Sequence, residues 1–473
     1  MAVHMKLILI TVLITNAWTQ RVGRRIGKME EVFAWKQITY DIDGEEVLHE
    51  RFGDDDLGRN QQGRQHDKIY FSNDDEGIFF YVKIGRLPTT ENELWYPSFT
   101  HQTFTDDTAS FFIQYNNLPM GAERVGDRLF ITVPRRRYGI PSTLNYIHLP
   151  TAKSHSPPLR PYPNSKQTST EDRLVSVYRT RADSCGRLWM VDTGLLEIPK
   201  NPQQVQPPAI VVFDLATNQQ ILRYPFKSSD LPAANTPTGL ASITVDLNGD
   251  CGNAFAYVPD LTTYGLIVFS LRERDSWRIE HNYFHFDPVA GNLNVAGLSF
   301  QWSDGIFSVT LSEPDEGGCR TAYFHPMVST QQFSVSTCAL KNRTAIGDAN
   351  YWKSFRHVGD RGVGGQSTMH GYHAGSRVFF HADIVRGGIS CWRARDLLSP
   401  SDVAILATHH TRMMYPSDLH VTGDEVWMMT NSLPRYGYSR LDPNQYNFHV
   451  YRGNVSELIS GTVCESPEKN VWS

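Results

Sequence analysis

The sequence predicts an all-β fold, and within that class a six-bladed β-propeller. Three observations favour it: the aromatic share of the 473 residues is 12%, a short strand-like motif recurs along the chain, and no long amphipathic run has the 3.6-residue period of a helix. Tyr, Trp and Phe favour half-buried pleated surfaces, so the aromatic share indicates sheets. A pair of β-sandwiches and an unrelated tandem of all-β units are the alternatives that these observations leave open.

Each copy of the motif begins at a glycine turn, continues with β-favouring residues and stops at a polar side chain. The opening glycines are 48 to 70 residues apart. That interval accommodates four short strands with their turns, which is the content of one propeller blade. Six copies therefore predict six blades. They read GDRLFITVPR, GRLWMVD, GNAFAYVPD, GIFSVTLSE, GSRVFFHAD and GDEVWMMTN, and begin at Gly126, Gly186, Gly252, Gly305, Gly375 and Gly423.

The polar residues that end these strands predict a site. In a propeller, equivalent strands approach one axis, so polar side chains at their ends should converge on a central channel. A single polar strand end would be read as a solvent-facing turn, whereas six at matching positions predict a ring. The register of the opening glycines differs by one or two residues, so the ring is predicted more firmly than each member. Its members are Arg135, Asp192, Asp260, Glu313, Asp383 and Asn431.

The N-terminus has the pattern of a secretory signal peptide, which we place at residues 1–19. One basic residue, Lys6, precedes an apolar run, and small residues follow near Ala17. A membrane anchor is the alternative, but the run is far shorter than the roughly 20 apolar residues of a membrane span. The sequence thus predicts a secreted, extracellular protein without a membrane partner, with one propeller domain at 20–465 and a C-terminal tail at 466–473.

Six cysteines agree with an oxidising destination, where an even number predicts up to three disulfides. Six cysteines allow 15 pairings, which spacing alone leaves open. None lies in a CxxC pair, so no metal site is expected. Asn342 and Asn454 begin N-x-S/T sequons and become potential glycosylation sites once the chain is secreted. The cysteines are Cys185, Cys251, Cys319, Cys338, Cys391 and Cys464.

Charge and short motifs exclude several function classes. The formal net charge is −5, and no basic block interleaves with aromatic residues, so nucleic acid is not an expected partner. The glycine-rich segment GDRGVGGQST (359–368) lacks the GK[ST] ending of a phosphate-binding loop. No GxSxG surrounds Ser367, which argues against a hydrolase nucleophile elbow. No cofactor is expected, and the sequence does not indicate an oligomeric state.

Several segments occur in a recognisable order: SCGRLWMVDTGLLE, DCGNAFAYVPDLTTYGLIVFSL, GISCWRARD and PSDLHVTGDEVWMMTNSLP. With them the chain resembles the Yellow and major royal jelly protein family of insects over about residues 30 to 465, and most of all its dopachrome-converting branch. The resemblance implies a secreted six-bladed propeller closed by disulfides. By the family pattern Cys185 pairs with Cys251 and Cys391 with Cys464, which leaves Cys319 for Cys338.

The resemblance also implies a choice of functions, because members of the family convert dopachrome, bind biogenic amines, or serve as storage or signalling proteins. The expected function is a cofactor-free isomerase that converts L-dopachrome, with decarboxylation, to 5,6-dihydroxyindole in insect melanin biosynthesis. The alternative is a non-catalytic secreted binder of biogenic amines or catechols that uses the same channel. In both cases the expected partner is a small-molecule aminochrome or catecholamine.

The candidate catalytic residues lie in GYHAGSRVFFHAD. They are His381, Asp383 and His373. Histidine titrates near neutrality and suits proton transfer, and residues 381 and 383 share one face of a strand; a hydrogen bond inside the blade is the alternative role for each histidine. The candidate substrate-binding residues, chosen as an aromatic wall, polar partners and a cation for a carboxylate, are Asn431, Asp260, Asp192, Glu313, Tyr264 and Arg135. Phe300, Trp302 and Tyr372 are further candidates for an aromatic slot, although aromatic residues on strands more often belong to the core.

Overall fold

The computed structural model describes residues 24–48, 112–164, 173–199, 202–233, 236–247, 249–394 and 397–465. Within these ranges, six antiparallel sheets of four or five strands follow one another along the chain. They are the blades of a six-bladed β-propeller, as the recurring motif predicts. The signal peptide predicted at 1–19 and the tail predicted at 466–473 lie outside the described residues.

The N-terminal segment and the first three blades account for eighteen strands. The segment consists of β1 (Arg25–Ile26), β2 (Met29–Trp35), β3 (Tyr40–Ile42) and β4 (Glu45–Val47). Blade 1 consists of β5 (Gly121–Val125), β6 (Arg128–Thr132), β7 (Leu144–His148) and β8 (Arg160–Pro161). Blade 2 consists of β9 (Val177–Ala182), β10 (Arg187–Asp192), β13 (Ala209–Asp214) and β14 (Gln219–Pro225), with the small hairpin β11 (Leu195–Leu196) and β12 (Gln203–Gln204) inserted. Blade 3 consists of β15 (Thr244–Leu247), β16 (Ala254–Asp260), β17 (Gly265–Ser270) and β18 (Asp275–Glu280).

A hairpin, β19 (Asn292–Val295) and β20 (Leu298–Gln301), separates blade 3 from blade 4. Blade 4 consists of β21 (Ile306–Pro314), β22 (Arg320–Pro326), β23 (Gln331–Ser336) and β24 (Phe355–Asp360). Blade 5 consists of β25 (Ser367–His373), β26 (Val378–Asp383), β27 (Gly388–Arg393) and β28 (Val403–Thr408). Blade 6 contains β29 (Tyr415–Thr422), β30 (Glu425–Asn431) and β31 (Phe448–Asn454).

The described helices are short. Three are α-helices: α1 (Thr337–Lys341), α2 (Leu433–Tyr438) and α3 (Val455–Ile459). The others are 3-10 helices at Gln114–Asn116, Ser228–Asp230, Asn282–Phe284, Pro288–Gly291, Arg343–Gly347, Tyr351–Ser354 and Pro400–Asp402. Across the described ranges, none is long and apolar enough to cross a bilayer.

The ring is closed by strands from both ends of the described chain. Blade 6 has the order β1-β2-β31-β30-β29, so the N-terminal β2 pairs with β31. Three disulfides add covalent links: Cys185–Cys251, Cys319–Cys338 and Cys391–Cys464. These are the pairs that the family resemblance implies. The last of them ties β27 of blade 5 to the segment after α3, so that blade 5 and the C-terminal segment are linked independently of the sheets.

The second strands of the blades explain the apolar runs in the motif. Every residue of β10, β16 and β26 is buried. A strand that is covered on both faces reads as a continuous apolar run instead of an alternating one. Five of the six motif copies are second strands, at β6, β10, β16, β26 and β30.

The sixth copy, GIFSVTLSE, corrects the predicted alignment. It forms β21, which is the first strand of blade 4, whereas the second strand is β22. First and second strands are antiparallel, and Ile306 pairs with Pro326 while Pro314 pairs with Arg320. Glu313 therefore lies at the opposite end of its sheet from the other predicted strand-end residues. Both strands have a glycine turn and β-favouring residues, so the motif alone did not distinguish them.

Candidate functional site

The strand-end aspartate of blade 2 is enclosed by its own blade. The carboxylate of Asp192 is fully buried and accepts hydrogen bonds from the backbone N–H groups of Val175 (3.0 Å) and Ser176 (2.9 Å). It also accepts one from Nη2 of Arg223 (2.9 Å), which lies on the outer strand β14. Asp192 therefore links the segment that leads into the inner strand to the outer strand of the same sheet.

Blade 3 repeats this arrangement, and blade 5 contains a related pair whose arginine lies in the turn after the second strand. Asp260 accepts hydrogen bonds from the backbone N–H of Gly239 (2.9 Å) and from Nη1 of Arg278 (3.1 Å). Asp383 accepts one from Nη1 of Arg386 (3.0 Å), and burial nevertheless raises the pKa of Asp383. Both carboxylates are buried. We call the three pairs the Asp–Arg clips; each clip lies within one blade, and the three carboxylates do not meet at the axis.

Arg135 and Asn431 also hold local structure. Four N–H donors of the buried Arg135 guanidinium bond to backbone carbonyls within 2.9 Å, those of residues 140, 141, 174 and 175. Asn431, which is also buried, donates to the carbonyl of Pro119 (2.8 Å) and accepts from the backbone N–H of Leu433 (3.0 Å). Asn431 thus connects blade 6 to the start of blade 1 and supports the first turn of α2.

His373 and Glu313 lie at the far end of the propeller from the Asp–Arg clips. His373 pairs with Val378 at the hairpin turn, whereas Asp383 is at the open end of the same two strands. Nδ1 of His373 accepts from the backbone N–H of Ser376 (3.1 Å), which leaves Nε2 to donate to the exposed Asp424 (3.1 Å). Glu313 is exposed and accepts from the hydroxyl of Tyr372 (2.8 Å). The predicted catalytic trio is therefore not brought together.

His381 belongs to a buried histidine cluster between blades 4 and 5. Its ring stacks on that of His370 with centroids 5.6 Å apart, and His325 lies 4.6 Å from His370. Burial, together with the nearby cation of Arg361, lowers the pKa of His381 and His325 well below the usual value, and that of His370 to about 3. The three imidazoles are neutral at physiological pH and fill the interface between two blades.

A different set of residues meets at the axis, and we call it the mouth cluster: Arg136, Tyr178, Asp304, Tyr415 and Tyr438. Arg136 follows the second strand of blade 1, Tyr178 lies on the inner strand of blade 2, and Asp304 lies two residues before the inner strand of blade 4. Tyr415 begins the inner strand of blade 6, and Tyr438 ends α2 of the same blade. Side chains from blades 1, 2, 4 and 6 can interact only at the end of the central channel. Asp304 interacts electrostatically with the other four.

Asp304 has the protonation behaviour of an acid–base group. Burial raises the pKa of Asp304 to about 7, although a hydrogen bond from the Trp302 side chain and the cations of Arg136 and Arg179 lower it. Burial that outweighs its neighbours leaves this carboxyl half-protonated near neutral pH. A group with that property can both donate and accept a proton during turnover.

The donors around Asp304 are oriented but not all satisfied. The side chain of Arg136 hydrogen-bonds to Tyr178, whose pKa is raised by burial. Nε of Arg136 is buried and has no partner among the described residues. Arg179 has a structural role, because its guanidinium donates hydrogen bonds to the backbone carbonyls of Ser417 (2.9 Å) and Ala241 (2.9 Å). Arg136 is therefore the cation of this cluster that retains an unused donor.

Aromatic rings frame the same place. Phe300 stacks on Tyr438 with ring centroids 4.7 Å apart, and Trp302 meets Tyr438 edge-on at 6.4 Å. Tyr264 donates to the carbonyl of Ser303 (3.3 Å), and burial and Asp304 raise its pKa. Of the predicted aromatic residues, Tyr264, Phe300 and Trp302 lie around Asp304, whereas Tyr372 is at the opposite end of the propeller.

Sequence reasoning missed Asp304, Tyr178, Tyr415 and Tyr438. Asp304 stands in SDG, directly before a glycine turn, where aspartate usually stabilises the turn itself. Arg136 directly follows Arg135, which is the arginine that the sequence analysis predicted to bind substrate. Over the described ranges, no group of three or more His, Cys, Asp or Glu side chains could hold a metal ion.

Comparisons with known proteins agree with this architecture. A family model described as Major royal jelly protein matches residues 175–464. The chain is 44% identical over 362 residues to L-dopachrome tautomerase yellow-f of Drosophila melanogaster, across 75% of this chain and 83% of that protein. It is 35% identical over 388 residues to dopaminechrome tautomerase of the same species, across 78% and 82%. It is 37% identical over 362 residues to protein yellow of Drosophila pseudoobscura pseudoobscura, across 75% of this chain and 63% of that protein.

Proposed function

The chain belongs to the major royal jelly protein family, and from that premise we propose that it is an isomerase that converts L-dopachrome to 5,6-dihydroxyindole with loss of carbon dioxide. The observation that carries the proposal is the environment of Asp304, a carboxyl with a pKa of about 7 at the axis of the propeller. Relatives named as tautomerases of dopachrome and of dopaminechrome support the substrate class.

The reaction requires charge to move from the carboxylate-bearing carbon to the ring oxygens. As the bond from C2 to the carboxylate breaks, carbon dioxide leaves and the electron pair passes through the ring nitrogen onto the two oxygens. One oxygen takes a proton from a general acid, and the conjugate base then removes a proton from C3 to form the indole. Solvent protonates the second oxygen. One anion and one proton thus give a neutral diphenol and carbon dioxide.

The mouth cluster supplies the groups for these steps. Asp304 is the acid that protonates the first ring oxygen and then the base that accepts the C3 proton, because its pKa of about 7 lies close to physiological pH. Arg136 and the Tyr178 hydroxyl are donors for the negative charge that develops on the oxygens; such prepositioned donors are often the largest contribution to catalysis. Tyr264 and Trp302 form walls for the planar ring.

The setting in which we propose this activity is extracellular. Three disulfides within one chain are typical of an oxidising compartment. The two sequon asparagines, Asn342 and Asn454, are exposed. Each caps a short helix, and its side-chain oxygen accepts the hydrogen bonds from the backbone. The side-chain nitrogen, to which a glycan is attached, is not used in these bonds. We propose both as glycosylation sites.

The decisive experiment replaces the proposed acid and compares it with a carboxylate at the other end of the propeller. Asp304→Asn removes the titrating group at nearly constant volume and is expected to reduce dopachrome turnover by about 100-fold or more. The matched control, Asp424→Asn, makes the same change in an exposed carboxylate beside His373 and should leave turnover unchanged. Loss of dopachrome absorbance gives the rate, and chromatography identifies the product.

Three outcomes would contradict the proposal at different levels. Equal rates for the wild type and Asp304→Asn would remove Asp304 from the reaction. A product that retains the carboxylate would preserve isomerisation but exclude decarboxylation. Absence of turnover in the wild type, with heat-treated protein as the baseline, would exclude the isomerase itself.

A non-catalytic binder of biogenic amines is the second candidate, and the same cluster favours it. An ammonium group can pair with the carboxylate of Asp304 while aromatic faces receive the ring. Calorimetric titration with dopamine distinguishes the two functions. The protein would be a binder if the wild type binds dopamine without accelerating dopachrome decay and Asp304→Asn does not bind dopamine.

A further inference from the structure

The hairpin between blades 3 and 4 has one polar and one apolar face. Its strands pair Leu293 with Phe300 and Val295 with Leu298, around a two-residue turn at Ala296 and Gly297 that has positive φ angles of 50° and 85°. Leu293 and Val295 are buried. The alternate residues of both strands, which are Asn292, Asn294, Ser299 and Gln301, are exposed. An isolated two-stranded hairpin is only marginally stable, so this one depends on what its apolar face covers.

That face covers the end of the central channel. Phe300 stacks on Tyr438, which ends α2 in blade 6. Blades 3 and 4 lie on the opposite side of a six-blade ring from the junction of blades 6 and 1, so this contact crosses the axis. Leu293 and Val295 belong to one apolar cluster with Met327, Tyr415 and Tyr436. The hairpin therefore lies over Asp304 and its neighbours.

Apolar contacts hold the hairpin to the rest of the protein. Among the described residues, the side-chain hydrogen bonds of the hairpin run from Asn294 to Ser299 (2.9 Å) and from Gln301 to Asn292 (2.9 Å), both within it. At its base, the backbone N–H of Trp302 donates to the carbonyl of Gly291 (3.0 Å). Beyond its base, the contacts of the hairpin with the other described residues are side-chain packing, which allows the hairpin to move as a unit about that base.

We propose that the β19–β20 hairpin is a lid, held shut by the Phe300–Tyr438 stack, that selects free small catechols and aminochromes over catechol rings carried on a peptide. The proposal rests on the site proposed above, because the lid closes over Asp304. With the hairpin shut, a ligand must be enclosed between the lid and the inner strands. A ring with a chain on both sides cannot be enclosed, since the chain would occupy the place of the hairpin.

The lid also connects closure to chemistry. Trp302 directly follows the hairpin and hydrogen-bonds to Asp304. Movement of the hairpin displaces this residue and admits water to the carboxyl. Asp304 is half-buried with the hairpin in place, so closure shields this acid from water and strengthens the interaction of the protein with charges on the substrate.

The test uses the full-length protein and two variants of Phe300. Phe300→Ala removes one ring of the stacked pair, whereas Phe300→Tyr retains both rings and is the matched control. An aromatic stack contributes enough stability to change an equilibrium by roughly threefold to tenfold. In Phe300→Ala, backbone hydrogen exchange at 292–301 and the association and dissociation rates of dopamine should all increase by that factor, while Phe300→Tyr behaves as the wild type.

Selectivity is measured with two stable probes. Calorimetry is expected to show that the wild type binds dopamine but not the tripeptide Gly-dopa-Gly, and that Phe300→Ala binds both. In the wild type, saturating dopamine should slow hydrogen exchange at 292–301. Equal binding of both probes by the wild type would overturn the proposal, as would exchange at 292–301 that neither dopamine nor Phe300→Ala alters.

These readouts separate failure of the lid from failure of the proposed reaction. If the protein does not convert dopachrome but dopamine still slows hydrogen exchange at 292–301, the lid is supported and the isomerase is excluded. If the protein converts dopachrome but neither dopamine nor Phe300→Ala changes hydrogen exchange at 292–301, the reaction is supported and the lid is excluded.

Discussion

The Asp–Arg clips and Asp304 show two opposite uses of a carboxylate in one propeller. In the clips, each aspartate is buried with an arginine of its own blade within 3.1 Å. No ion pair of Asp304 is found in the described part of the chain, and its cationic neighbours Arg136 and Arg179 act at longer range. A clip occurs in each of three blades and stabilises the sheet of that blade, whereas Asp304 has no counterpart in the other repeats of the motif.

In this fold, different residues serve the repeated sheets and the proposed site. A residue that recurs at the same place in three blades, as the clip aspartates do, holds the sheet of its own blade together. A binding site at the axis must be asymmetric when its ligand does not have six-fold symmetry. The site that we propose meets this requirement, because Arg136, Tyr178 and Asp304 are each contributed by a single blade.

Loss of a clip should destabilise the protein more than any other change considered below. Asp192→Ala leaves the Arg223 guanidinium and two backbone N–H groups without their acceptor. Removing one partner of a buried ion pair costs about 3–5 kcal/mol, so the free energy of unfolding should fall by that amount. Denaturant titration measures it. Turnover per folded molecule should stay at the wild-type value, and a large loss of turnover without a loss of stability would reverse the roles assigned to the two kinds of carboxylate.

The buried histidines predict a smaller effect, which accumulates with pH. Folding lowers the pKa of His325, His370 and His381, so below about pH 6.5 the unfolded chain binds more protons than the folded one. Stability should therefore fall as the pH falls from 6.5, by up to about 1.4 kcal/mol per pH unit for each histidine. For His370 the loss continues toward pH 3.

Thermal unfolding of the wild type and His370→Gln between pH 4 and 7 measures this slope. The variant should lose stability less steeply with acid, because one of the three imidazoles no longer titrates. Identical slopes would show that the cluster does not control acid stability. His370→Gln should change dopachrome turnover at pH 7 only slightly, whereas Asp304→Asn should reduce it strongly.

The sequence predicted the frame of this protein better than its site. Glycine turns followed by apolar strands recur because each second strand is covered on both faces, and that pattern gave the number of blades. The same regularity predicted Asp192, Asp260 and Asp383 as site residues, and the structure places each of them in an ion pair with an arginine of its own blade. Asp304 follows a loop and precedes a glycine, so nothing local distinguishes it from an ordinary turn aspartate.

Residues that are distant in the chain surround Asp304 and influence its pKa. A single sequence does not show which distant residues approach one another. Arg136, Tyr178 and Tyr415 approach Asp304 only after the ring has closed. The sequence also did not predict that the β19–β20 hairpin contacts blade 6 across the axis, since an alternating four-residue strand is typical of any hairpin. Tyr264, predicted as part of an aromatic wall, does lie beside this site.

A modest shift in the pH dependence of turnover distinguishes Asp304 from the clips further. The proposed first step needs protonated Asp304, so turnover should decline as the pH rises through about 7. The hydrogen bond from Trp302 lowers the pKa of this carboxyl, so Trp302→Phe should raise the pKa and move the decline to higher pH. A pH–rate profile of both proteins measures the shift. A decline that moves to lower pH would contradict the assignment of the hydrogen bond or of the acid.

The smallest effect is expected at the opposite end of the propeller. Tyr372→Phe removes the hydroxyl that donates to the exposed Glu313 at 2.8 Å. A hydrogen bond to an exposed carboxylate contributes little, so the free energy of unfolding should change by less than about 0.5 kcal/mol. Dopachrome turnover should be unchanged, because Tyr372 and Glu313 lie at the far end of the sheets from Asp304. A marked loss of turnover in this variant would place the reacting site at the Glu313 end of the channel. It would also contradict the distinction between the clip carboxylates and Asp304.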